Sequence, residues 1–361
     1  MGRLKKILRL SLPAFMYNYI RSFSFYLNLQ KGLKHWNDYT NEDLLFRPPE
    51  NESEMMKVFK KYVSVVHLEI SNYCNRSCTY CTNSLLECRS NEKHFLPESL
   101  FMKSVNDLAK IGYDQFIEFN GFNEPLADRD ILLKRIYQLK TALPESKLLI
   151  NSNGDYLNGE YLDDISKRGV DYMMVTLHLN SNELNLSAEQ RSRKASEFIK
   201  RFPFISFVFS DNGQFYKAKV HNMEMIVRVS DFYNNGHNFG GTVKEKKKRK
   251  LPCYVPVKHI YVDYAGRVNL CCSANMDSDD FADLIIGDVS KSNLFELFSS
   301  RKALKLRKAL KNIDWDIPAC CRFCNAQLDY FAIPETTYAP YYPFFMDTNL
   351  LREEKLKKNK S

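Results

Sequence analysis

The 361-residue chain lacks any apolar run approaching the ~18 residues of a membrane-crossing helix, so no transmembrane segment is expected. It also lacks a secretory signal. The start is basic, but Arg9 and Pro13 interrupt the apolar stretch and no small-residue cleavage site follows. Acidic residues are missing from Met1 to Asn37, which carry seven Lys or Arg. No internal repeat is visible. A cytoplasmic setting follows, in which thiols stay reduced, so the ten cysteines point to metal rather than to disulfides.

Apolar residues make up 44% of the chain, enough for a packed core and against global disorder. The 25 Phe and 21 Tyr fit a large core or ring-lined pockets alike. A net charge of +9 favours anionic partners. Part of it lies in the run Lys244 to Lys250, KEKKKRK, which reads as a solvated loop in preference to a nucleic-acid patch.

Residues 1–60 read as a helical extension. Leu4, Ile7, Leu8, Leu12, Phe15, Met16, Tyr19, Ile20, Phe23, Tyr26 and Leu27 recur at steps of three and four. This basic, aromatic face suits either a helix packed on the protein body or one lying on a membrane surface through residues 1–30, peripheral to the inner face. From Tyr62, strands alternate with helices. The strands are expected at Val63–Ser71, Tyr113–Gly121, Lys147–Asn153, Tyr172–Leu179, Phe204–Ser210 and Met223–Val229. The helices are expected at Pro97–Gly112, Ala127–Leu143, Leu157–Gly169 and Leu186–Phe202. Repeats of this kind build a parallel sheet, and six units are too few for a closed eight-stranded barrel. The expected class is therefore α/β, a partial (β/α)6 barrel over 61–242. A second, smaller domain follows over 251–333, with a hairpin turning at Ala265–Gly266 and a basic helix from Leu294 to Lys311. Residues 334–361 form a tail.

Cys74, Cys78 and Cys81 lie in the loop after the first strand, within CNRSCTYC. Three thiolates so close can converge on a four-iron cluster and leave one iron open, or on zinc with a distant fourth ligand. The second region holds six of the ten cysteines. Cys253 and Cys271 are separated by 17 intervening residues, and Cys321-x2-Cys324 follows within ACCRFC. A four-thiolate zinc site fits that spacing as well. Cys88, Cys272 and Cys320 are left over.

C-x3-C-x2-C with Tyr80 before the last Cys resembles the signature of the radical S-adenosylmethionine superfamily. After the second strand, Gly121-Phe122-Asn123-Glu124-Pro125 is similar to that family's GGEP segment, with Asn123 where Gly is usual. Ser152-Asn153-Gly154 after the third strand is similar to its polar strand end, and His178 and Asn180 follow the fourth. The resemblance covers 63–239. It implies a [4Fe–4S] cluster on Cys74, Cys78 and Cys81, and S-adenosylmethionine contacts from Tyr80, Gly121, Asn123, Glu124, Ser152 and Asn153. Glu124 would accept from the methionine ammonium. The later cysteines resemble the shortened auxiliary-cluster domain called twitch, related to SPASM. That implies one auxiliary [4Fe–4S] cluster on Cys253, Cys271, Cys321 and Cys324.

The resemblance further implies reductive cleavage of S-adenosylmethionine to a 5′-deoxyadenosyl radical and hydrogen abstraction from a substrate. An electron donor of flavodoxin or ferredoxin type and electron acceptance by the auxiliary cluster go with it. The expected activity is oxidation of a sugar-like or other polar small molecule. A peptide-modifying enzyme is the alternative, disfavoured because such enzymes often begin with a winged-helix domain. A non-catalytic zinc-dependent nucleic-acid binder is the remote third reading. No catalytic side chain is assigned; His178, Tyr113 and Asp263 are pocket candidates.

Overall fold

The computed structural model describes residues 43–85, 92–179, 186–210, 215–230, 238–243, 248–314 and 316–325. Apart from Asp43, these residues fall in one compact unit, Leu44–Ser210 with Gln214–Gln327. The expected amphipathic helices of residues 1–42 and the tail over 334–361 lie outside the described residues, as do Cys88 and Asn180. Among the described residues no helix is long and apolar enough to cross a membrane.

Among the described residues ten strands form one sheet, in the order β10-β9-β8-β1-β2-β3-β4-β7-β6-β5. Its centre is parallel: β1 (Val65–Leu68), β2 (Phe116–Glu118), β3 (Lys147–Ser152), β4 (Tyr172–His178) and β7 (Met223–Ser230). Helices α1 (Glu52–Tyr62), α2 (Glu98–Lys110), α3 (Arg129–Ala142), α4 (Gly159–Lys167) and α5 (Ala188–Ile199) pack around it. Local chemistry sets their starts. Asn51, Asp128, Asn158 and Ser187 each accept a backbone N–H of the first turn, and Ser187 with Gln190 forms a capping box. Gly112, at φ +54°, takes the left-handed conformation that ends α2.

Alternation along the strands divides the sheet into two faces. Val66, Leu68, Ile117, Phe119, Leu148, Ile150, Met173 and Val175 are buried on the outer face. Phe119 there meets Phe101 of α2 edge-on at 5.7 Å. The other parity carries His67, Glu69, Glu118, Asn120, Asn151, Thr176 and His178, with Phe116 and Tyr172 meeting across it at 5.7 Å. Hydrogen bonds among these polar residues mark this as the barrel interior.

Two expectations change. The stretch Phe204–Ser210 supplies no parallel strand: β5 (Val208–Ser210) and β6 (Phe215–Val220) form an antiparallel hairpin on β7. A parallel strand needs a crossover of about a dozen residues, and the link between β5 and β6 is far shorter. The sixth parallel strand comes from the second region. There β8 (His259–Val262) pairs in parallel with β1, and β9 (Arg267–Asn269) turns back beside it. Gly266, at φ +89°, makes that turn where it was expected. A short β10 (Gly287–Asp288) completes the edge.

The basic helix after residue 294 is two helices, α6 (Leu294–Phe298) and α7 (Arg301–Asn312). Ser300 starts the second by accepting from the Ala303 N–H. Arg307 of α7 is buried and donates to the carbonyls of Leu45 and Phe298. Phe59 of α1 packs edge-on against Phe295 and Phe298 of α6 at 5.2 and 5.5 Å.

Candidate functional site

The first cysteine loop leaves the C-terminal end of β1, the end at which catalytic loops of β/α barrels gather. Cys74, Cys78 and Cys81 are partly exposed, and the Cys81 N–H donates to the Cys78 carbonyl at 2.9 Å. Tyr80 is buried between them. Burial first, and then the neighbouring Cys78, raise its hydroxyl well above the ordinary value. The hydroxyl therefore keeps its proton and shares a hydrogen bond with His178 Nδ1 at 2.7 Å, with the two rings stacked. Burial, aided by Arg76 and Arg228, lowers His178 to about 4, so this imidazole is neutral.

The second and third loops are tied to one another by Glu124. Its Oε1 accepts from Ser152 Oγ at 2.7 Å and from the Leu126 N–H at 3.1 Å, and its Oε2 accepts from the Asn153 N–H at 2.7 Å. Burial raises its pKa despite these donors. The Glu124 N–H donates to the Tyr73 carbonyl at 2.8 Å, which joins this pair to the cysteine loop. Asn123 folds back on its own turn, accepting from the Gly121 N–H at 2.9 Å and donating to the Phe119 carbonyl. Gly121 must be glycine, because a Cβ there would overlap the Tyr261 hydroxyl of β8. The six residues expected around S-adenosylmethionine thus share one connected region at the ends of β1 to β4.

A second tie was not foreseen in the sequence. Asp155 accepts both arms of Arg76 at 2.7 and 2.6 Å and Asn75 Nδ2 at 2.7 Å, while Asn153 Nδ2 donates to Asn75 Oδ1. Inside the barrel, Glu118 Oε2 accepts from Asn120 and Asn151 at 3.0 and 3.1 Å, and Arg228 donates to Thr176 at 3.2 Å. His67 Nδ1 lies 3.5 Å from Glu118 Oε2. Burial would lower His67, but Glu118 and Cys272 overcome it and raise it to about 9. Polar residues inside otherwise apolar strands, as in VVHLE and HIYVD, are the signal that could have flagged this interior. Of the three pocket candidates, His178 is at the site. Tyr113 is core, its hydroxyl on the Phe116 carbonyl. Asp263 clamps the β8–β9 turn through Arg267 and Ala265.

The second cysteine set also gathers. Cys271 is raised well above its ordinary value by burial, and then by Cys272, Cys324 and Cys253. Cys321 is raised by its hydrogen bond with Cys320 and by burial, with Cys271 and Cys253 adding to it. Cys320 itself is lowered by Cys321 and faces Asp283. Arg249 alters the reading of the basic run: it is buried, 3% exposed, and donates to the Cys321 carbonyl at 2.9 Å. Burial alone would lower it, but Cys253, Cys324, Cys321 and Cys271 raise it. The two loops meet where Asn275 Nδ2 donates to Asn83 Oδ1 at 2.9 Å, two residues after Cys81.

Residues 68–202 match the Radical SAM superfamily, and residues 253–325 match an iron–sulfur cluster-binding domain, SPASM. An S-adenosyl-L-methionine-dependent 2-deoxy-scyllo-inosamine dehydrogenase of Niallia circulans is 21% identical over 267 residues, 73% of this chain and 94% of that protein. The crystal structure of BtrN in complex with AdoMet and 2-DOIA aligns over 73% of this chain and 93% of its own, at 19% identity and TM-score 0.53. Native anSMEcpe with bound AdoMet aligns over 83% of this chain and all of its own, at 14% identity and TM-score 0.42. The partial barrel is thus a fold shared with a known structure, and the chain carries a radical S-adenosylmethionine domain followed by an iron–sulfur cluster-binding domain, with S-adenosylmethionine and [4Fe–4S] clusters as its cofactors.

Proposed function

We propose that the protein is a radical dehydrogenase of a hydroxylated, sugar-like small molecule, converting one of its alcohol carbons to a carbonyl. The observation that carries this reading is the match to an S-adenosyl-L-methionine-dependent 2-deoxy-scyllo-inosamine dehydrogenase over 94% of that protein's length. The polar barrel interior supports it. Glu118, Asn120, Asn151, Thr176, Arg228 and neutral His178 supply donors and acceptors suited to several hydroxyl groups.

The residues fit the two cofactor types. None of the nine described cysteines is in a disulfide. Cys74, Cys78 and Cys81 would hold the first cluster, three thiolates leaving one iron for the methionine amino and carboxylate groups. Cys253, Cys271, Cys321 and Cys324 would hold the second, with buried Arg249 offsetting its negative charge. When bound, these groups supply the electron that cleaves S-adenosylmethionine, the 5′-deoxyadenosyl radical and a one-electron acceptor. The chain's own part is to orient and to exclude water. Tyr80, Gly121, Asn123 and Glu124 with Ser152 and Asn153 shape the S-adenosylmethionine end. Because both Glu124 oxygens already accept protein donors, its role in that set is to hold the two loops together, with one Oε2 lone pair left for the ammonium.

The domain limits follow: 61–242 for radical generation, 251–333 for the auxiliary cluster. The reductant in this reading is a flavodoxin or ferredoxin, the setting cytoplasmic, and the basic residues 1–30 rest on the inner membrane surface. Removing residues 1–30 should abolish sedimentation with anionic liposomes; undiminished sedimentation would refute the membrane contact.

The activity is tested anaerobically with dithionite, S-adenosylmethionine and 2-deoxy-scyllo-inosamine or related polyols. One 5′-deoxyadenosine should form per molecule of ketone. Replacing Cys74, Cys78 and Cys81 by Ala should abolish both products and keep about four of about eight irons per chain. Iron-replete protein that makes no 5′-deoxyadenosine would overturn the radical reading. Protein that makes it with no polyol oxidised would overturn the dehydrogenase reading.

A further inference from the structure

The barrel interior holds a group of donors that belongs to neither cysteine set. His67 on β1 and His259 on β8 sit on adjacent parallel strands and are buried, 3% and 0% exposed. Their rings stack with centroids 5.3 Å apart and planes 22° apart, and His67 Nε2 lies 3.2 Å from His259 Nδ1. Cys272, on the turn after β9, completes the group: one donor atom from each of the three lies within 4.8 Å of the others.

We propose that His67, His259 and Cys272 bind a zinc ion, distinct from both iron–sulfur clusters. Distance supports it. Two nitrogens each about 2.0–2.1 Å from a tetrahedral zinc stand about 3.3 Å apart, close to the observed separation. Orientation supports it independently. The other nitrogen of His67, Nδ1, faces Glu118 Oε2 at 3.5 Å and is buried with no hydrogen-bond partner. A carboxylate behind the far nitrogen of an imidazole is the usual means of fixing the ring of a metal-bound histidine. Donor chemistry narrows the ion, since two imidazoles and a thiolate select a transition metal, zinc among them, over magnesium or calcium. The burial of both histidines sets the site apart from surface histidines that collect stray ions. Zinc here would pin β8 to β1 and hold the turn that carries Cys271. Three protein donors leave a fourth position for water or another small ligand.

The competing arrangement is two imidazoles sharing one proton, with the thiol alongside. Protein purified with its clusters intact decides between them. Elemental analysis should find about one zinc per chain in addition to iron. Absorption at the zinc edge should show one sulfur near ~2.3 Å and two nitrogens near ~2.0–2.1 Å. Cys272→Ser and His259→Gln should each lower zinc at least tenfold while iron per chain stays constant. Wild-type protein that stays zinc-free after incubation with equimolar zinc sulfate overturns the proposal, as does zinc retained in both variants. Should the variants fail to fold, the wild-type spectrum still decides, because zinc surrounded by sulfur alone would place it in a cysteine set. None of these outcomes depends on the substrate.

Discussion

Glu69 follows β1 with its carboxylate turned into the barrel. Its Oε1 accepts from the Phe122 N–H at 2.7 Å. The Tyr261 hydroxyl, Asp263 and, farther off, Asp277 also face it. Burial is the largest influence and Asp263 the next; together they raise Glu69 from 4.5 to about 8. The folded protein therefore keeps this proton up to about pH 8, while the unfolded chain releases it near 4.5. Between those values the unfolded state binds fewer protons, so stability falls as pH rises, by at most about 1.4 kcal/mol per pH unit from this one group. Glu69→Gln keeps an acceptor for the Phe122 N–H and removes the titration. Its melting temperature, followed anaerobically from pH 5 to 8 (about the span of the shift), should decline less steeply than that of wild type. Parallel declines would show that Glu69 does not hold its proton in the fold.

At the level of elements, the sequence was legible where local rules and the fold agree. The first four strands alternate or run apolar, and the helices between them start at Pro97, at the Asp128 cap and at the Asn158 cap, so their order and the three loops of the site could be placed. Legibility failed where an apolar stretch had two possible partners. Phe204–Ser210 reads as a strand in either direction, and only the short link before Phe215 reveals the hairpin. Pairing of β8 with β1 joins residues nearly 200 positions apart, by the register His259 to Val65, and no local pattern encodes that. The run KEKKKRK reads as uniformly solvated because charge runs usually are, yet Arg249 at its end turns inward to the four thiols. The motifs pointed to Glu124 and Ser152 separately, on the loops after the second and third strands. They did not show that the two bond to each other, which rests on the loops' arrangement in space.

Across the whole described unit, the two cysteine regions are joined by a contact that neither motif contains. Asn275 is buried, and its Nδ2 donates to Asn83 Oδ1 at 2.9 Å and lies 3.5 Å from Thr82 Oγ1. Asn83 in turn donates to the Phe122 carbonyl, beside the Glu124 loop. Asn275 Oδ1 accepts from the Asp277 N–H at 3.1 Å, and Asp277 binds Arg267 of β9. One chain of hydrogen bonds thus runs from the second cysteine region through the first to the S-adenosylmethionine loops. Asn275→Ala would leave Asn83 Oδ1 buried without this donor, at a cost of about 1–3 kcal/mol. For a unit of this size each kcal/mol lowers the melting temperature by roughly 2–4 °C. Asn275→Asp should be worse, since a carboxylate would face the Asn83 oxygen without a donor. Misplacement by about 1 Å between reacting groups can cost about 100-fold in rate. Both variants should therefore form 5′-deoxyadenosine more slowly at unchanged iron content, with Asp the slower. If both match wild type in melting temperature and in rate, the two regions are positioned independently and this contact carries no weight.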